Sequence, residues 1–263
     1  MKTQCILNGS VAQGSLILVN HMSPNKAEVD ADTLVSVNKR EPLVSLTHEA
    51  ATMLNALMKQ INGWSKIRIN SGFRSKERQQ EIWEEILETK GEAYTKQYVA
   101  VPGHSEHETG LAVDLGLRRN MFQLKSAPFL YDGICKKFRE EMAKFGFIER
   151  YPKGKEEVTG IGHEPWHFRY VGVPHAMIME EKGFTLEEYI AFLREYERGS
   201  KGFEYRGNGI HVWISFVKQS EEESQIIEVD EEIPFCVSGN NVDGFIITEY
   251  VSEMGANKQL QIA

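Results

Sequence analysis

The sequence predicts an α+β fold with a small β-rich appendage at its C-terminal end, and three observations support this. Helical periodicities and short strand patterns are mixed through the first 198 residues. One segment with the apolar character of a buried strand, "GLAVDLGL" at 110–117, carries an aspartate in its middle. Beyond about residue 200 only strand-type segments remain. The expected division is a main domain over 1–198 and an appendage over 199–263, in a chain of 263 residues that is long enough to bury a sizeable core.

Each element has its own local signal. Residues 47–62, "THEAATMLNALMKQIN", set Ala50, Met53, Leu54, Leu57, Met58 and Ile61 at helical spacing, with Gly63 where a C-terminal cap falls. "KIRINSG" (66–72) alternates Ile67 and Ile69 with polar neighbours, as a strand does. "SKERQQEIWEEILETKG" (75–91) predicts a second helix opening at Ser75 and stopping at Gly91, with Ile82, Trp83, Ile86 and Leu87 as core residues. Arg74 therefore falls at a strand-to-helix turn. The strand 110–117 follows, then a helix over 132–146 with Ile134, Phe138, Met142 and Phe145 inward, a short strand "HFRYVG" (167–172) and a helix over 185–199. Thr185 and Glu188 form a capping-box pattern at the start of that last helix. In the appendage, "GIHVWISFVKQ", "SQIIEVD" and "GFIITEYV" are β-type segments parted by an acidic "SEEE" turn and by "SGNNVDG", a cluster of turn formers. His211 is a strand residue in this scheme.

Charge and composition exclude several classes. The chain has 30 Lys+Arg against 38 Asp+Glu and no dense basic stretch, which argues against nucleic acid as a partner. Apolar runs are only a few residues long, too short for a membrane-spanning helix. Asn8, Gly9, Ser10 and Gln13 interrupt the apolar character of the N-terminal twenty residues, so no secretory signal is read there and a cytoplasmic location is expected. Cys5, Cys135 and Cys236 are far apart and form no Cys-x-x-Cys pair, which fits a reducing compartment.

The chemistry concentrates in two windows. "PGHSEHETGLAVDLG" (102–116) holds His104 and His107, and "GIGHEPWHFRYVG" (160–172) holds His163 and His167; both contain carboxylates. Two imidazoles and one carboxylate make the ligand set of a catalytic zinc that keeps one position open, and His107, Asp114 and His167 are the chosen three. Asp114, flanked by Val113 and Leu115, is costly to bury unless a cation meets it. Glu164 precedes His167 by three positions, a spacing that a turn can use to aim both at one ion. A glutamate there, unbound to the metal, can take a proton from water that the ion acidifies. Trp166 and Phe168 are expected to wall the site. The plainer alternative is two loop histidines and a hydrogen-bonded strand aspartate, and His104 and His163 are read as solvated loop residues.

Three segments in order, "SGFRSKERQ" (71–79), "SEHETGLAVD" (105–114) and "EPWH" (164–167), resemble the signatures of the zinc D,D-peptidases of vancomycin resistance, the VanX, VanY and bifunctional VanXY enzymes. The middle segment fits the pattern Ser-x-His-x-x-Gly-x-Ala-x-Asp at every fixed position, and the likeness covers roughly 14–198, starting with "GSLILVN". The resemblance implies helices packed on a small, mainly antiparallel sheet in a catalytic domain over 1–198. It implies Zn2+ held by His107, Asp114 and His167, with Glu164 as general base. It further implies that Arg74 faces the scissile carbonyl and that Ser105 and Gln79 are substrate-binding positions. The implied substrates are D-alanyl-D-alanine and peptidoglycan precursor peptides. Without the resemblance, Arg74 reads equally as a helix cap or a partner of Glu77 or Glu81, and Gln79 as a helix-surface residue. His163 departs from the tyrosine that many VanY-like members have before Glu-Pro-Trp-His, which bears on substrate preference. The glycine-punctuated, charged stretch 150–162 suits a mobile lid. Two further functions are compatible with these motifs: an L,D-carboxypeptidase of wall recycling, and a wall-peptide binding protein without turnover.

Overall fold

The computed structural model describes residues 2–7, 11–39, 41–118, 127–220, 225–230 and 232–251. In chain order its elements are β1 (Lys2–Leu7), β2 (Leu34–Asn38), β3 (Glu41–Thr47), α1 (His48–Gln60), β4 (Ile67–Ser71), α2 (Lys76–Lys90), α3 (Glu92–Tyr98), β5 (Ala112–Leu117), α4 (Gly133–Met142), β6 (Phe147–Glu149), α5 (Glu156–Thr159), β7 (His167–Tyr170), α6 (His175–Lys182) and α7 (Leu186–Leu193). The strands β8 (Phe203–Gly207), β9 (Ile210–Lys218), β10 (Gln225–Asp230), β11 (Phe235–Gly239) and β12 (Gly244–Tyr250) complete the chain. This is the α+β architecture expected, with helices against small antiparallel sheets.

Two compact units result, one formed by 19–187 and the other by 1–18 with 188–263. In the larger unit, a four-stranded antiparallel sheet runs in the order β4-β5-β7-β6. Its middle strand β5 is buried from Ala112 to Gly116, as a strand covered on both faces must be. Side chains alternate across it. Val113 pairs with Phe168 on the apolar face, where Phe168 packs edge-on against Phe129 and Phe138 at centroid distances of 5.4 and 4.8 Å. Asp114 points the other way, with Ser71 and His167 as its cross-strand partners on the same face. Phe168 is thus a core residue and not a wall of the site, because strand periodicity turns it away from its neighbour His167.

The first helix, α1, begins at Thr47, whose side chain caps Ala50 N, and it buries Ala50, Leu54, Leu57 and Met58. It packs on the hairpin β2–β3, which carries no strong sequence pattern because Leu43 and its neighbours are largely exposed. Helix α2 has Ser75 as its N-cap and stops at Gly91, as the sequence predicts. Its apolar residues do not enter the core: Gln79 is the residue it buries, Leu87 is 40% exposed, and Ile82 and Ile86 face a cleft.

The smaller unit contains the sheet β11-β12-β9-β8 and a two-stranded ribbon β1-β10. The N-terminal strand β1 pairs antiparallel with β10, so the C-terminal strands are completed by residues that the sequence division at 198 puts with the main domain. Val11, Val217, Ile227, Val229, Phe245 and Ile247 form its apolar core. Within "SGNNVDG", Asn240 accepts hydrogen bonds from the amides of residues 242, 243 and 244, which closes the turn into β12. The acidic turn at 221–223 lies outside the described residues, and His211 sits on β9 with Nε2 2.8 Å from Glu204.

One buried ionisable group makes the fold sensitive to acid. Burial at the start of α6 pushes the His175 imidazole down to about 3 from an ordinary 6.5. The unfolded chain therefore binds a proton that the folded chain refuses between those values. Stability is full above about pH 6.5 and falls below it by about 1.4 kcal/mol per pH unit from this group. Urea unfolding at pH 7 and pH 5 is expected to show this loss, and His175→Asn should reduce the slope by about one proton. Equal slopes in the two proteins refute the assignment.

Candidate metal centre

The three chosen ligands come from two adjacent strands and one short turn of helix. Asp114 and His167 are cross-strand partners on β5 and β7. His107 lies in a 3-10 turn, Glu106–Thr109, just before β5. That turn ends at Gly110 in the left-handed region, φ 68°, where a Cβ would stand 2.8 Å from Leu34. Gly110 thus explains the glycine of the motif. Gly72 has a related role. Its carbonyl accepts from His107 Nδ1 at 2.6 Å, and a Cβ on it would meet Ser45 O at 2.5 Å.

Nε2 of His107 is 3.2 Å from Asp114 Oδ2, and Nδ1 of His167 is 3.1 Å from Asp114 Oδ1. One donor atom from each of the three residues lies within 4.8 Å of the others. A tetrahedral zinc with bonds of about 2.0–2.1 Å spaces its ligands by roughly 3.3 Å, and the two imidazole–carboxylate separations of 3.2 and 3.1 Å are of this size. Asp114 Oδ1 is buried and accepts no hydrogen bond, which leaves it available to a cation. Among the described residues this is a group able to hold a metal, and its two nitrogens and one carboxylate are the donor types zinc takes.

The electrostatics favour a cation at this point. Burial raises the Asp114 carboxyl, but His107, His167 and Arg74 together outweigh it and hold the group well below the usual carboxylate range. Burial, helped by the Arg74 charge, lowers the His107 imidazole. His167 goes the other way: burial opposes its charge, yet Asp114, Glu106 and Glu164 raise it to about 9. A pocket of carboxylates that retains a proton on an imidazole is one where a positive charge is stabilised.

Glu164 and His167 are brought together by a turn in which Glu164 O accepts His167 N at 3.2 Å, and Glu164 Oε2 lies 3.7 Å from His167 Nδ1. Burial, with the charge of Asp114 nearby, pushes the Glu164 carboxyl up to about 8 although His167 acts against it. The turn is held from outside. Arg139 of α4 donates to Pro165 O and pairs with Glu149 at 2.7 Å, and its guanidinium covers the Tyr131 ring at 4.2 Å. His163 is tied into this cluster, with Nε2 2.6 Å from the Tyr131 hydroxyl. His104 points to the backbone of Asn20 at 2.7 Å. Neither histidine belongs to the metal group.

Arg74 uses three of its five N–H groups inside the protein: Nε donates to Ser71 Oγ at 2.8 Å, Nη2 to Asp114 Oδ2 at 2.7 Å and Nη1 to Gln79 Oε1 at 3.4 Å. It pairs with neither Glu77 nor Glu81. Gln79 is buried rather than on the helix surface, and its amide also donates to Ala100 O at 2.8 Å. It is therefore a support for Arg74. Ser105 is buried beside the 3-10 turn. All these residues line one cleft of about 210 Å³, whose outer walls are Ile82, Ile86, Tyr94, Tyr98, Ile161 and Trp166. The segment 150–162 is anchored at both ends: Arg150 and Tyr151 are buried, and Gly162 leaves only enough room for the Tyr98 ring.

Sequence reading missed a buried charge cluster next to the ligands. Glu106 Oε1 accepts from Arg150 Nε at 2.8 Å and from Arg169 Nη1 at 2.6 Å, with all three side chains fully buried. Arg150 also forks onto Glu187 at 2.6 and 2.8 Å. The available signal was Arg169 within the strand "HFRYVG", a charge as misplaced in an apolar strand as Asp114.

Known proteins resemble this chain in sequence and in structure. Residues 43–173 match the VanY family, described as D-alanyl-D-alanine carboxypeptidase. The bifunctional D-Ala-D-Ala dipeptidase and D-Ala-D-Ala carboxypeptidase VanXYC of Enterococcus gallinarum is 39% identical over 185 residues, 70% of this chain and 97% of that protein. The crystal structure of the vancomycin resistance D,D-dipeptidase VanXYg, in complex with a D-Ala-D-Ala phosphinate analog, superposes with a TM-score of 0.90 at 38% identity, covering 95% of this chain and all of the other. A D,D-pentapeptidase VanY from a VanB-type resistance cassette, solved with Zn(II), gives a TM-score of 0.56 at 33% identity over 67% of this chain and 98% of its own. With its three motifs converging on one cleft and these relatives matched over nearly their whole lengths, the chain belongs to the VanY family of D-alanyl-D-alanine carboxypeptidases.

Proposed function

We propose that the chain is a zinc-dependent D,D-peptidase that hydrolyses D-alanyl-D-alanine, both as the free dipeptide and at the C-terminus of peptidoglycan precursor pentapeptides, in the service of vancomycin resistance. The observation that carries this reading is the convergence of His107, Asp114, His167, Glu164 and Arg74 on one cleft. In this proposal Zn2+ is held by the first three. When bound, it supplies a Lewis acid for the scissile carbonyl and acidifies water. Glu164, buried and aimed at the same point, would have its raised carboxyl returned to the ionised form by the charge of a bound cation, and as carboxylate takes a proton from the attacking water and passes it to the leaving amine. Arg74 keeps two N–H groups for the carbonyl oxygen as it becomes an oxyanion, while Ser71, Asp114 and Gln79 fix the plane of its guanidinium. Ser105 holds the substrate from the cleft floor, and Gln79 acts on it through Arg74.

Catalysis is assigned to the part before residue 198 and the β-rich segments after 199 are assigned a non-catalytic role. A relative that 70% of this chain matches over 97% of its own length supports that division. No helix among the described residues is long and apolar enough to cross a membrane, and the free Cys135 and Cys236 suit a reducing compartment, so the proposed location is the cytoplasm.

Incubation with D-Ala-D-Ala, a precursor pentapeptide and L,D-peptides should give hydrolysis of the first two only, dependent on zinc and abolished by a chelator. Turnover of neither D,D substrate overturns the proposal, and turnover confined to L,D bonds moves the chain to wall recycling. Two substitutions separate binding from chemistry. Glu164→Ala should lower kcat by about 10²–10⁴-fold with zinc still bound. Asp114→Asn should lose zinc from the protein as purified, and a variant that retains wild-type metal content refutes the ligand assignment.

A further inference from the structure

The buried carboxylate beside His107 has a use that burial alone does not explain. Glu106 spends Oε1 on Arg150 and Arg169, while its Oε2 is buried without a hydrogen-bond partner. Nε2 of His167 is likewise buried without a partner, and the two atoms face each other at 3.5 Å. The opposite ring nitrogen, Nδ1, faces Asp114 and Glu164. A neutral imidazole that ligates through Nδ1 carries its proton on Nε2, and a buried N–H needs an acceptor. His107 solves the mirror problem differently: its Nδ1 meets the carbonyl of Gly72, so Nε2 is the nitrogen turned to the ion.

We propose that Glu106 is a positioning residue that accepts the Nε2–H of His167 and fixes the tautomer in which Nδ1 faces the metal. Arg150 and Arg169 hold the carboxylate in place from behind. The charges in this buried set balance, since Glu106 and Glu187 offset Arg150 and Arg169. The inference rests on the metal centre proposed above and adds the support behind one of its ligands. A carboxylate behind a metal-bound histidine makes the ring a stronger and better oriented ligand.

Glu106→Gln is the informative variant. Arg150 and Arg169 are donors only, so they draw the amide oxygen toward themselves and leave the NH2 facing Nε2–H, donor against donor. Zinc affinity, measured by chelator competition on the full chain, should fall about 10–100-fold. Glu187→Gln removes a carboxylate from the same cluster without facing His167; thermal stability should fall in both variants, and zinc affinity in Glu106→Gln alone. A folded Glu106→Gln protein with wild-type zinc affinity, or equal affinity losses in both variants, overturns the proposal. Should Glu106→Gln fail to fold, 15N NMR of the zinc-loaded wild type decides: His167 is expected to be protonated at Nε2 and ligated through Nδ1, and the reverse assignment overturns it. Wild-type protein that takes up no zinc refutes the metal centre and this inference with it, whereas zinc uptake with unchanged affinity in the variant refutes this inference alone.

Discussion

Asp114 sets a negative charge in the middle of a buried strand, and the larger unit is arranged around its compensation. Val113 and Leu115 face the core, so the strand cannot turn Asp114 to solvent without exposing them. Burying the charge without partners would cost several kcal/mol. The partners arrive from three directions: Arg74 from the turn after β4, His107 from the turn before β5, and His167 from β7 alongside. The same three contacts bring together one carboxylate, two imidazoles and a guanidinium. Stability and chemistry thus place the same demand on the sequence here.

The sheet gives this cluster its precision. Ser71, Asp114 and His167 occupy one row across β4, β5 and β7, which Ser71 joins through a register shift after Ile69, so their spacing is set by strand pairing rather than by loop conformation. Ser71 in turn anchors Arg74 Nε. Glu164 depends on a turn, and that turn is clamped by Arg139 on Pro165 O and by Leu115 N on Trp166 O at 2.9 Å. Each of these side chains therefore hangs from an element that packing already fixes.

Much of this was legible in the residues, for physical reasons that also explain the gaps. Helix α2 announced its ends through Ser75 and Gly91, because caps act locally, whereas after α1 the left-handed residue is Asn62 rather than the expected Gly63. Asp114 was legible because a charge inside an apolar strand demands a partner. The same rule applied to Arg169 leads to Glu106, but sequence does not show which carboxylate, 63 residues away, meets it. Helix α2 misled in the other direction: Ile82 and Ile86 carry a core-like periodicity, yet they line the cleft, since an apolar stripe that walls a binding site has the same spacing as one that packs. The pairing of β1 with β10 joins residues more than 200 positions apart, and no local pattern encodes it.

That misreading of α2 points to how the fold divides its work. The candidate ligands and their supports hang from the sheet and the two turns flanking β5 and β7, whereas the outer cleft is walled by α2, α3 and the segment around Ile161, with Tyr94 well exposed. Changes in the sheet move Asp114 and His167 relative to one another and so, under the proposed function, strike at metal binding and proton transfer together. Changes in the outer wall alter the space offered to a peptide while leaving Ser71, Asp114 and His167 in their row. Under the proposed function, discrimination between a dipeptide and a longer chain falls to the wall, because the residues proposed to act on the scissile bond are held by a scaffold that does not distinguish what lies beyond it.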